Sequence, residues 1–65
     1  MHELTEAQHA SLEYMYVYHR VGKYMDLETF KRQAQPVVFG DGAVAVKIPE
    51  TGMFVCVEAD GHRHT

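Results

Sequence analysis

Two apolar-alternating runs constrain this chain more than anything else in it. Ala43-Val44-Ala45-Val46-Lys47-Ile48 and Met53-Phe54-Val55-Cys56-Val57-Glu58 flank the four residues Pro49-Glu50-Thr51-Gly52. A connection of that length is common between antiparallel strands. Folding the runs about it sets Ile48 opposite Met53, Val46 opposite Val55 and Val44 opposite Val57. These side chains are all apolar and share one face, because successive side chains of a strand alternate. The other face pairs Lys47 with Phe54, Ala45 with Cys56 and Ala43 with Glu58. A slip of one residue would scatter the apolar set over both faces, so the register is specified. Such a hairpin needs a cover, and the N-terminal half must supply it.

That half carries helix signals. Thr5 can accept from an orphan backbone N–H, and Gln8, three residues on, can reach back to complete a capping box. Glu6 would lie in the positive first turn. Apolar or small residues then fall at Ala7, Ala10, Ser11, Tyr14, Val17, Tyr18 and Val21, a helical stripe expected to face the core. Gly22 is the expected stop. Tyr14, Tyr16 and Tyr18 also alternate, which suits a strand over 13–19, but the cap and the segment's length favour helix. Asp26 predicts a second N-cap, with Met25 stapling onto Phe30, and Pro36 forbids continuation, so this helix is short. Val37-Val38-Phe39 predicts a strand and Gly40-Asp41-Gly42 a turn. Residues 59–65 are polar and Gly-containing and are expected to form a mobile tail. The fold class is α+β: two N-terminal helices, long then short, packed on a three-stranded antiparallel β-meander, in a single small domain spanning 1–65.

A domain of 65 residues buries only about 60% of its unfolded surface, so support from a metal or a second chain is a natural expectation. A disulfide is excluded because Cys56 is the single cysteine. One cysteine and no apolar leader suggest a reducing, cytoplasmic setting, and no apolar run is long enough to span a membrane. With 46% hydrophobic and 23% charged residues the chain should fold rather than stay disordered. A net charge of -3 makes nucleic acid a poor partner.

Little in the sequence points to chemistry. His62 and His64 would share a strand face, and His2, Glu6 and His9 could add ligands, but no compact zinc spacing results and no second Cys is available. No metal and no cofactor are therefore expected. Cys56 sits mid-strand with no base near it in sequence, and Gly40-Asp41-Gly42 lacks the length and the Lys of a phosphate loop, so catalysis is not expected. Helix-turn-helix DNA binding is an alternative, with Lys31, Arg32 and Gln35 on a second helix facing a groove. Protein binding has the firmer hints. Leu12, Met15, Tyr16 and His19 fall away from the main stripe, Phe54 lies on the second sheet face, and Arg20 and Lys23 would form a charged rim. Tyr and Met are at home at interfaces. The expectation is a small non-catalytic regulator or inhibitor, of the kind that phages and plasmids encode. It would occupy a surface on another protein and self-associate as a homodimer.

Overall fold

The computed structural model describes residues 3–38 and 41–65. The ligand role considered for His2, the end of the first strand at Phe39 and the start of the turn at Gly40 lie outside the described residues. Helix α1 spans Glu6–Tyr18, a 3-10 turn spans Val21–Lys23 and helix α2 spans Leu27–Arg32. Strands follow at Gln35–Pro36 (β1), Val44–Lys47 (β2), Phe54–Val57 (β3) and Arg63–His64 (β4). They form one antiparallel sheet in the order β1-β2-β3-β4.

The chain is α+β, but among the described residues it has four strands rather than three. The first strand also begins earlier than expected. Gln35 and Pro36 pair with Ala45 and Val44, and Val37 N–H continues the ladder to the Ala43 carbonyl at 3.0 Å. Pro36 fits there because it stands on an edge strand, where a missing N–H is tolerated. The central hairpin has the register its sequence dictates: Val44 faces Val57, Ala45 Cys56, Val46 Val55 and Lys47 Phe54.

Both helices pack on the same side of this hairpin. Leu12 and Met15 from α1 and Phe30 from α2 join Val44, Val46, Ile48, Val55 and Val57 in one buried cluster. The face of α1 is a correction. Its buried residues are Gln8, Ser11, Leu12 and Met15, whereas Tyr14, Val17 and Tyr18 are exposed. The true stripe lies one residue, about 100°, around the helix from the expected one. Both stripes have helical spacing, and the correct one opens on a polar residue.

Gln8 explains why. The capping box with Thr5 forms, with Thr5 N–H donating to Gln8 Oε1 at 2.9 Å and Gln8 N–H to Thr5 Oγ1 at 3.1 Å. The Gln8 amide nitrogen then donates to the carbonyls of Gly42 at 2.9 Å and Val57 at 3.1 Å. Every polar atom of the side chain has a partner, so its burial costs little. It also pins the start of α1 to the sheet.

Helix α1 ends before Gly22. His19 is the C-cap and Arg20 takes a left-handed conformation at φ 55°, so Val21 enters the core from the 3-10 turn instead. The Tyr16 hydroxyl donates to the Met25 carbonyl at 2.9 Å and clamps this turn to the helix. Asp26 caps α2, accepting from Thr29 N–H at 2.9 Å.

Strand β4 is the second correction. Residues 59–65, expected as a loose tail, turn back and pair Arg63 with Val57 and His64 with Cys56. Asp60 accepts from His62 N–H at 3.0 Å, and Gly61 has φ 91°, the left-handed conformation that ends a three-residue hairpin loop. A Cβ on Gly61 would stand 2.9 Å from the Ala7 carbonyl oxygen, so this loop lies directly on α1. Thr5 Oγ1 donates to the Ala59 carbonyl at 2.6 Å and Ser11 Oγ donates to the Gly61 carbonyl.

Candidate functional site

The solvent side of α1 carries an aromatic ladder. Tyr14 and Tyr18, four residues apart, share a helix face, and their rings stack at 5.8 Å and 12°. Tyr18 meets the His19 ring edge-on at 4.9 Å. The Arg63 guanidinium lies 4.6 Å from the centre of the Tyr14 ring, and its Nη1 donates to Ser11 Oγ at 3.3 Å. Tyr14 is 54% and Tyr18 67% exposed. Cation and stack together place two large, largely exposed rings side by side.

Beside the ladder runs a groove between the end of α1 and strands β3 and β4. Its volume is about 250 Å³, with Met15, Ile48 and Val55 in its lining and His19, Met53 and Arg63 contributing as well. Met53 is 53% exposed. The volume falls below the roughly 300–1,000 Å³ typical of small-molecule sites, and suits a single inserted side chain. The Arg63 guanidinium at its edge gives the groove a cationic character.

The residues singled out from sequence divide among several places. Leu12 is fully buried and Met15 is 1% exposed, so neither stands on an exposed binding face; the helix phase turns both inward. Met15 nevertheless lines the groove, as does half-buried His19. Tyr16 is half-buried, with its ring 6.1 Å from that of Phe30. Arg20 and Lys23 are exposed at the end of α1 and on the 3-10 turn. Phe54 is 61% exposed but lies on the outer face of the sheet, away from the helices. Tyr14, Tyr18, Met53 and Arg63 were not among the site residues expected from sequence. The i, i+4 pairing of Tyr14 and Tyr18 is legible in the sequence, where the same spacing equally fits a core stripe.

The outer face of the sheet is a second surface. Ala45, Phe54, Cys56, Glu58 and His64 alternate onto it. The donor atoms of Cys56, Glu58 and His64 lie within 4.8 Å of one another.

Perturbed carboxyls sit elsewhere. Lys31 donates to Glu13 at 2.8 Å and, by that bond and its charge, holds the Glu13 carboxyl below its ordinary value. Hydrogen bonding from Thr29 does the same for Asp26. No helix among the described residues is long and apolar enough to cross a membrane. No family model matches the chain, and the comparisons with curated proteins and solved structures found no match either.

Proposed function

We propose that this domain is a non-catalytic protein-binding regulator or inhibitor that acts by occupying a surface on a partner. The observation that supports it is the exposed tyrosine ladder of α1, whose neighbours His19 and Arg63 also line an apolar groove. Tyr-rich, Met-edged surfaces supply large contact area at low conformational cost. The groove has room for one apolar side chain, and Arg63 would attract acidic neighbours of that anchor. The partner is therefore a polypeptide segment bearing an aliphatic or aromatic anchor flanked by Asp or Glu.

The test is a peptide array of Leu- or Phe-anchored sequences with acidic or basic flanks, probed with the full chain. Binding of the acidic-flanked set, with NMR shifts at Met53, Tyr18 and His19, supports the reading. Equal binding of both sets, or shifts confined to the outer sheet face, overturns it. Self-association belongs to the same proposal and would use the outer face that carries Phe54. Sedimentation should then show a dimer that Phe54→Ser returns to monomer. DNA binding through α2 has less behind it, since that helix has six residues and Lys31 is engaged by Glu13.

A further inference from the structure

Residues that alternate along paired strands can converge even when nothing in their spacing suggests it. On β3, Cys56 and Glu58 are two apart and share the outer face. On the neighbouring segment His64 stands opposite Cys56. His62 stands opposite Glu58, whose N–H donates to the His62 carbonyl at 2.8 Å. A thiol, a carboxyl and two imidazoles thus occupy the corners of one small patch. Cys56 Sγ, a Glu58 carboxylate oxygen and a His64 ring nitrogen already lie within 4.8 Å of one another. Glu58 Oε2 is 2.7 Å from His64 Nε2. The His62 ring centre is 6.2 Å from that of His64.

We propose that Cys56, Glu58 and His64 bind a zinc-class divalent ion, with His62 or water as the fourth ligand. Zinc holds thiolate at about 2.3 Å and imidazole or carboxylate at about 2.0–2.2 Å, which spaces tetrahedral donors by roughly 3.3–3.8 Å. Rotations of exposed and half-buried side chains by about an ångström would reach that geometry. The mixed sulfur, nitrogen and oxygen set suits zinc and excludes calcium and magnesium as preferred ions, since these want oxygen alone. On binding, the Cys56 thiol loses its proton to water and the Glu58–His64 hydrogen bond opens, both of its groups turning to the metal. The ligating ring nitrogen of His64 carries no proton; the ring's remaining proton sits on the other nitrogen, and any second one passes to water. The ion would tie two-residue β4 to the central hairpin and give this small sheet a cross-strand staple. The site stands on the opposite face from the tyrosine ladder and does not depend on it.

The test titrates Co²⁺ into the full chain, then displaces it with Zn²⁺. One equivalent should bind, with tetrahedral d–d absorption and a thiolate-to-cobalt charge-transfer band. Cys56→Ser should abolish that band, and His64→Ala should weaken binding by at least about tenfold, while His9→Ala leaves both unchanged. Exposed His64 makes its variant safe for folding, which circular dichroism checks, so the test does not hang on the cysteine. Zn²⁺ should raise the melting temperature of the wild type but not of His64→Ala. Octahedral cobalt without the charge-transfer band, or equal affinity in the wild type and His64→Ala, would overturn the site.

Discussion

On the inner face of the β2–β3 hairpin, Val44, Val46, Val55 and Val57 are 0 to 8% exposed beneath the helices. On the outer face of the same strands, Phe54 is 61% exposed and Cys56 and Glu58 are half-buried. One backbone thus serves two solvents. The inner side chains are interchangeable aliphatics whose task is to be dry. The outer ones are chemically various, and their neighbours come from a different strand. On this hairpin the apolar packing lies on the first face and the chemical variety on the second.

The sharpest way to break that contrast is to place one carboxylate on each side. Val57→Asp should leave no folded population, since an unpaired buried charge costs more than a small domain's whole margin of about 5 kcal/mol. Phe54→Asp should shift stability by about 1 kcal/mol or less. Urea denaturation followed by circular dichroism measures both. A similar pair tests the helix: Leu12→Ala should cost about 2–5 kcal/mol as a core truncation, against about 0.5 kcal/mol for exposed Tyr18→Ala. Equal losses at these two positions would mean that α1 faces the other way.

Gln8→Ala comes next, at about 2–3 kcal/mol, because it removes half of the capping box and leaves the Gly42 and Val57 carbonyls without this donor. Tyr16→Phe should lose about 1 kcal/mol with its bond to Met25. The smallest effect is acid sensitivity. Glu13 and Asp26 have lowered carboxyl pKa values in the folded chain. Their contribution is present above the ordinary values of 4.5 and 3.8 and is lost as pH falls through the lower folded ones. Glu13→Gln should therefore lower stability slightly at pH 7, where that contribution is fully present, and leave the acid end of the stability–pH curve unchanged; the loss is small because the pair is exposed.

Sequence reasoning succeeded where a single local rule decided the matter. Thr5 with Gln8, Asp26 before α2, and the valine register of the hairpin each follow from chemistry within a few residues. It failed where two local answers were equally good. The stripes starting at Ala7 and at Gln8 both repeat every three to four residues, and only the partners of the Gln8 amide, in Gly42 and Val57, separate them. Those partners lie 34 and 49 residues away. Strand β4 was hidden for a related reason. Asp60-Gly61 is a turn signal, but the two polar residues it delivers to the sheet look like a tail. With β4 unseen, Cys56 had no histidine beside it and Arg63 no tyrosine beneath it. Both candidate surfaces were thus illegible in their most chemical parts.

The contacts of Thr5 with Ala59 and of Ser11 with Gly61 join positions 54 and 50 residues apart. During synthesis, therefore, the opening helix emerges long before the segment that seals it. Until then Leu12 and Met15 lack the strands they pack against. Closure of so long a loop also delays folding relative to a helical bundle of equal size. A protease cutting after Glu58 would free β4 and loosen its contacts with α1 at once.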